Sequence, residues 1–241
     1  MSRVVSWFSC GAASAVATIL AAQKYEKVHA VYCRVRQEHE DNLRFLKDFS
    51  NTTGIPVETI ENEKHKGSIF DVFLTRKYIK NQHGAPCTML LKKEMRKQYQ
   101  RVDDIQVFGY TAEEQDRADR FLDANNEVQE DFILLDQGVT KPDCLNIIRI
   151  LGIKIPVMYR LGYKNNNCIG CVKGGMGYWN AIRKDFPEAF DKMAKLERTI
   201  GHAINKDKNG PVFLDELDPK RGHKIKDMPG DCGFTCEVND A

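Results

Sequence analysis

The chain has 241 residues, of which 42% are hydrophobic and 29% charged, ordinary values for a folded protein able to build a full core. A formal net charge of +2 gives no global argument for nucleic acid or membrane, so any basic surface must be local. No apolar stretch approaches the roughly 20 residues needed to span a bilayer, and the first residues lack a basic segment followed by a continuous apolar run. A cytoplasmic protein without a signal peptide or membrane partner is therefore expected.

Val4–Phe8 reads as a buried strand, and Ser14–Lys24 as the helix after it, with Val16, Ile19 and Leu20 on one face. Val28–Tyr32 is the next strand, and Leu43, Leu46 and Phe49 mark a helix that stops before Gly54. Val57–Ile60 is a third strand, and Ser68 can cap a helix carrying Phe70, Phe73 and Leu74. Ile105–Phe108 and Phe132–Leu135 read as two more strands. Thr140 to Asp143 opens a helix with Leu145, Ile148 and Leu151 on its apolar face, ended by Gly152. Past Pro156 come a loop, a cysteine pair, a helix around Trp179–Ile200, and a Gly/Pro/Lys-rich tail. From about Asn205 that tail is expected to be mobile or ordered only by a ligand. The alternation predicts an α/β protein with a Rossmann-like, doubly wound parallel sheet over residues 1–165. A helical, cysteine-containing extension with a mobile tail follows over 166–241.

The turn between the first strand and helix reads Ser9, Cys10, Gly11, Ala12, Ala13, Ser14. It lies at the carboxyl end of a parallel strand, where open α/β sheets bind ligands. A helix N-terminus offers amide donors and partial positive charge, Gly11, Ala12 and Ala13 let a phosphate approach the backbone, and Ser9 and Ser14 add hydroxyls. The stretch is neither GxGxxG nor GxxxxGK[ST], so it is not an ordinary dinucleotide or Walker loop. Tight helix–strand packing explains the small residues equally well.

Other segments bear on that choice. The turn resembles the Ser-Gly-Gly-x-Asp-Ser pyrophosphate (PP) loop of adenine nucleotide alpha-hydrolase-type enzymes, and the Ser-Phe-Gly-Ala-Glu-Asp version in phosphoadenosine phosphosulfate (PAPS) reductases. Ala85–Lys97 ("APCTMLLKKEMRK") is similar to the reductases' cysteine segment, and Val107–Phe121 ("VFGYTAEEQDRADRF") to their Gly-x-Arg-x-x-Glu-type segment. Ile155–Cys171 ("IPVMYRLGYKNNNCIGC") resembles their Pro-Leu-Tyr…Gly-Cys-x-x-Cys segment. Four segments in the right order, from about Val4 to Cys171, identify a resemblance to the PAPS reductase family of the PP-loop superfamily. The chain departs from the family in three places. Ala13 replaces an acidic residue, Pro86 precedes Cys87 where the iron–sulfur reductases have a second cysteine, and Gly230–Val238 ("GDCGFTCEV") replaces Glu-Cys-Gly-(Leu/Ile)-His. Asp231-Cys232-Gly233 keeps the acidic-Cys-Gly core of that tail, and Cys236 adds a thiol.

Eight cysteines in a cytoplasmic chain are expected to be thiols, metal ligands or redox groups. Cys168 and Cys171 form a C-x-x-C whose spacing suits two thiolates on one metal or cluster edge. With Cys87 as third ligand, the resemblance implies a [4Fe–4S] cluster, its fourth iron open or held by Cys232 or Cys236. Structural zinc on Cys168, Cys171, Cys232 and Cys236 is the rival, and a dithiol redox pair the plainest alternative. Cys33 and Cys144, and to a lesser degree Cys10, read as core thiols.

Arg117 and Arg120 would share a helical face and could clamp a sulfate or phosphate, or simply pair with Glu113, Glu114 or Asp116. Lys92 and Lys93 near Cys87, and Lys173 near Cys171, could lower thiolate pKa and hold an anionic substrate, or form a solvated face. Lys173–Gly177 is either a second anion nest or a hinge. His83, His202 and His223 read as surface residues.

The resemblance implies an enzyme that binds an adenine nucleotide, ATP or PAPS, and handles sulfur with a thiol reductant or sulfur donor. Cys232 would attack the sulfur of a sulfonucleotide, with Cys236 as resolving thiol. Alternatively, ATP-driven adenylation would precede thiolation of an RNA, DNA or small-molecule acceptor. A non-catalytic nucleotide- or metal-binding regulator is the reading of a different class. Nothing in the sequence fixes the oligomeric state.

Overall fold

The computed structural model describes residues 2–81 and 84–223. In chain order the elements are β1 (Val4–Trp7), α1 (Ala12–Lys24), β2 (Val28–Arg34), α2 (Asp41–Thr53), β3 (Val57–Glu61) and α3 (Ile69–Arg76). A helical stretch follows, made of α4 (Pro86–Thr88), a π-helical turn (Met89–Lys93) and α5 (Glu94–Tyr99). Then come β4 (Ile105–Val107), α6 (Gln115–Ala124), β5 (Gln129–Asp131), α7 (Ile133–Asp136), α8 (Lys141–Ile150) and α9 (Val157–Arg160). The described chain closes with α10 (Met176–Asp185), α11 (Pro187–Ile200), β6 (Asn205–Asp207) and β7 (Gly210–Val212).

Two compact units divide these elements. The first takes in described residues 2–34, 40–60 and 95–157, the second 35–39, 61–94 and 158–223. The first unit carries the parallel sheet in the order β3-β2-β1-β4-β5. Val4 of β1 pairs with Val28 of β2 on one side and Ile105 of β4 on the other. Strand order therefore reverses between β1 and β4, which makes the fold the α/β, Rossmann-like, doubly wound type expected. β1 is buried along its whole length, as a central strand covered on both faces must be. α1 is rich in alanine, the residue that costs least in a helix and allows the closest approach to a sheet. Buried in its interior, Thr18 donates to the Ser14 carbonyl, so the Ser6 hydroxyl supplies the proton in the 2.8 Å Ser6–Thr18 contact joining β1 to α1. Phe8, Phe45 and Phe49 form one aromatic cluster of this unit, and Phe108, Tyr110, Phe121 and Phe132 another.

Several local expectations are corrected. Phe132–Leu135 is not a strand: the last strand is the polar Gln129–Asp131, and Ile133 and Leu134 are buried on α7. An edge strand paired through its backbone needs no apolar run, whereas the apolar run that invited the assignment packs against α1. The helix expected over Trp179–Ile200 is two helices, because Pro187 can stand only in a first turn and so breaks the run after Asp185. Buried faces are shifted on three helices: Leu43 and Leu74 are exposed, and α8 buries Cys144 and Ile148. Within the described part of the segment from Asn205, a β6–β7 hairpin and a 3-10 turn over Leu214–Glu216 form. The caps behave as the sequence implied: Ser68 accepts from Asp71 N–H, and Thr140 and Asp143 form a reciprocal capping box. Among the described residues no helix is long and apolar enough to cross a membrane.

Candidate functional site

In the first unit, β1 hands over to α1 through a turn whose conformation is unusual at Cys10. Its φ is +58°, a left-handed value that costs a non-glycine residue roughly 1 kcal/mol, while Gly11 is extended and caps the helix. Ser14 staples this turn. Its Oγ accepts from Ser9 N–H at 3.0 Å and from Ser9 Oγ at 3.1 Å, and donates to the Gly11 carbonyl at 3.0 Å. Ala12, Ala13 and Ser14 are buried in the first turn of α1, and Gly11 provides no side-chain cap for its amides. A helix N-terminus whose N-cap is a glycine, at the strand-order reversal, is suited to an anion.

The segment after β4 closes on this turn. A Cβ at Gly109 would stand 2.7 Å from both Cα and N of Ser14, so only glycine allows the approach. Beyond it, Thr111 and Glu114 form a capping box, and Glu114 also holds the Arg117 guanidinium, which lies over the Tyr110 ring at 5.1 Å. Arg117 is thus tied back to its own helix, whereas Arg120 is exposed on α6. Arg96, buried against Phe108 and Phe121, donates to Asn125 at 2.6 Å, and burial lowers its pKa.

The second unit holds the cysteines. Cys168 to Cys171 form a tight turn in which Gly170 has φ +71°. The Tyr178 hydroxyl accepts from Cys171 N–H at 3.0 Å and donates to the Cys168 carbonyl at 3.2 Å, fastening both ends of the turn. Burial pushes the Tyr178 phenol well above its ordinary range. Ile169 N–H donates to the Gln37 carbonyl at 2.8 Å, while Gln37 Oε1 accepts from Ile69 N–H at the start of α3. Gly174 makes room for the Tyr178 ring, since a Cβ there would come within 1.9 Å of it. Cys168 and Cys171 are buried and Cys87 is half-buried. Lys92 is buried in the π-helical turn, 3.0 Å from the equally buried Glu38, so its charge is already balanced inside the protein. Lys80 lies in electrostatic range of Cys171 and Glu197, and burial lowers its pKa.

Among the described residues, no three His, Cys, Asp or Glu side chains form a group that could hold a metal ion. The iron–sulfur and zinc expectations, which drew on Cys232 or Cys236 as further ligands, therefore find no support among the described residues. Cys232 and Cys236, together with Lys224, Lys226 and His83, lie outside the described residues.

Sequence reasoning missed Gly109, Tyr178, Glu38 and Gln37. A glycine directly after β4 was a usable signal for the first. Gln37 and Glu38 act through partners 32 and 54 positions away and left no local trace, while Tyr178 bonds backbone groups seven and ten positions back, which no side-chain pattern marks.

An α/β sheet with a glycine-capped helix N-terminus at its strand-order reversal has the architecture of open sheets that bind ligands at that point. A family model of the phosphoadenosine phosphosulfate reductase domain matches residues 3–174, and the chain belongs to that family. Membership carries a nucleotide-binding, sulfur-related function with an adenine nucleotide as substrate. No curated protein matches the chain.

Proposed function

We propose that this protein is a cytoplasmic enzyme that binds an adenine nucleotide by its phosphates at the Ser9–Ser14 turn and moves sulfur with it. The observation that carries the reading is the position of that turn, at the β1/β4 reversal of a PAPS-reductase-family chain. Backbone amides of the turn and of the first turn of α1 take the phosphate charge, and Gly11, Ala12 and Ala13 keep bulky side chains out of its way. Ala13 supplies no carboxylate, so the turn acts through its backbone, with the Ser9 and Ser14 hydroxyls holding its shape.

In the reductive reaction, the Cys232 thiolate attacks the sulfur of PAPS or adenylyl sulfate. The S–O bond to the phosphate breaks, the adenosine phosphate leaves with that electron pair, and a Cys232 thiosulfonate forms. Cys236 or a thiol reductant then attacks the Cys232 sulfur, releasing sulfite and forming a disulfide, so two thiols supply the two electrons.

The test is sulfite release from PAPS and adenylyl sulfate by wild type and Cys232→Ser. Loss of sulfite with nucleotide binding retained is expected. A wild type that makes no sulfite but consumes ATP when given RNA or DNA and a sulfide donor would establish thiolation instead. Nucleotide binding without turnover under any of these conditions would establish a regulator. The uneven charge described next favours thiolation as the second reading.

A further inference from the structure

Charge is divided unevenly between the two units. Residues 2–34, 40–60 and 95–157 carry 14 Lys and Arg against 17 Asp and Glu, a net of −3. Residues 35–39, 61–94 and 158–223 carry 20 against 13, a net of +7. The near-neutral whole conceals a basic unit.

Within that unit several carboxylates are already occupied. Glu38 is paired with Lys92, Glu61 with Arg36, Asp207 with Arg221, and Asp215 and Glu216 with Arg198. Glu197 is buried and accepts from Ile204 N–H at 2.5 Å and Leu214 N–H at 2.6 Å, anchoring both ends of the β6–β7 hairpin to α11. α3 packs on the same helix. Arg76 and Lys77 at the end of α3, Lys206 on β6 and Lys208 in the hairpin turn are all exposed, and none of them has an ion pair among the described residues. Lys80 lies close enough to Lys206 for the two ammonium groups to repel. Like charges held together on a common support are stabilised when an anion lies across them.

We propose that Lys80, Lys206 and Lys208, with Arg76 and Lys77, form a docking surface for a nucleic acid, held by its phosphodiester backbone. A lipid surface is disfavoured because the apolar residues of α11, Phe190, Met193, Ala194 and Leu196, are buried and leave nothing to insert. The role of this partner as a sulfur acceptor rests on the transfer chemistry proposed above; its binding does not.

Fluorescence anisotropy of the full chain with a short labelled RNA, and with DNA of the same sequence, tests the surface. Affinity should fall from about 50 to 200 mM salt, and Lys206→Glu/Lys208→Glu should weaken binding at least ~10-fold and lower the salt slope by about 0.7 per lysine. A preference for RNA or DNA identifies the source of the phosphodiester, and either supports the surface. Lys27→Glu/Lys47→Glu, which changes net charge equally on exposed lysines of the first unit, should retain affinity. Equal weakening by the two double variants, or no binding at about 50 mM salt, overturns the proposal. Calorimetry with ATP reads the nucleotide site separately. Gly11→Val should lose ATP and keep the nucleic acid, so failure of one reading is distinguishable from failure of the other.

Discussion

Gly109 and Ser14 stand so close that a single added carbon on the glycine would lie 2.7 Å from the serine's Cα and amide nitrogen. This contact joins the segment after β4 to the first turn of α1, beside the Ser9–Ser14 turn proposed to hold phosphate. Gly109→Ala should push α1 away, cost about 1–3 kcal/mol of stability, and weaken adenine-nucleotide binding. Gly175→Ala, with no heavy atom within 4 Å of the new carbon, is the control: at the N-cap of α10 it should cost no more than about 1 kcal/mol and leave nucleotide binding unchanged. Denaturant unfolding and calorimetry on both variants check this.

The C-x-x-C turn gives a second prediction. Tyr178→Phe removes the hydroxyl that fastens Cys171 N–H and the Cys168 carbonyl. It should cost on the order of 1–3 kcal/mol through the buried groups left unpaired, and alkylation of Cys168 and Cys171 should become faster. Unchanged alkylation rates would show that the turn holds without the hydroxyl.

Lys92 and Glu38 are a buried pair, and a buried charge is costly once its counter-charge is removed. Lys92→Met should lower stability by about 3 kcal/mol, and adding Glu38→Leu should recover much of that loss. A double-mutant cycle in denaturant gives the coupling directly.

How far the sequence revealed this site depends on the range of each interaction. The turn was legible because a buried strand, a run of small residues and an alanine-rich helix are contiguous. Ser14 was legible as a hydroxyl near the turn but not as its staple, since its bonding depends on the left-handed conformation at Cys10. The requirement for Gly109 arises from a contact with residues 13 and 14, and the Glu38–Lys92 pair spans 54 positions, so neither leaves a local pattern. Ile133 and Leu134 misled because a short apolar run has the same appearance in a buried strand and in a packed helical turn. The charge of the basic unit was hidden by the acidic one, because the two are interleaved along the chain.

Glu197 makes a pH-dependent prediction. Burial is the largest influence on its carboxyl, pushing it up to about 7 from 4.5, against the opposing pull of the Ile204 and Leu214 amides. Between those values the native protein holds a proton that the unfolded chain has released, so stability should fall as pH rises from about 4.5 to about 7. After allowance for solvent screening the change is on the order of 1–2 kcal/mol. Glu197→Gln mimics the protonated acid and should flatten this slope. Chemical denaturation of wild type and variant at several pH values reads the difference.

The central claim is that the Ser9–Ser14 turn holds the phosphates of an adenine nucleotide, and calorimetric titration of Gly11→Val with ATP and with PAPS tests it most directly. Wild type should bind at least one of them. Gly11→Val, with its circular dichroism unchanged, should lose at least ~100-fold in affinity because its side chain stands where the phosphate approaches the backbone. Unchanged affinity for both ligands in the folded variant would contradict the account.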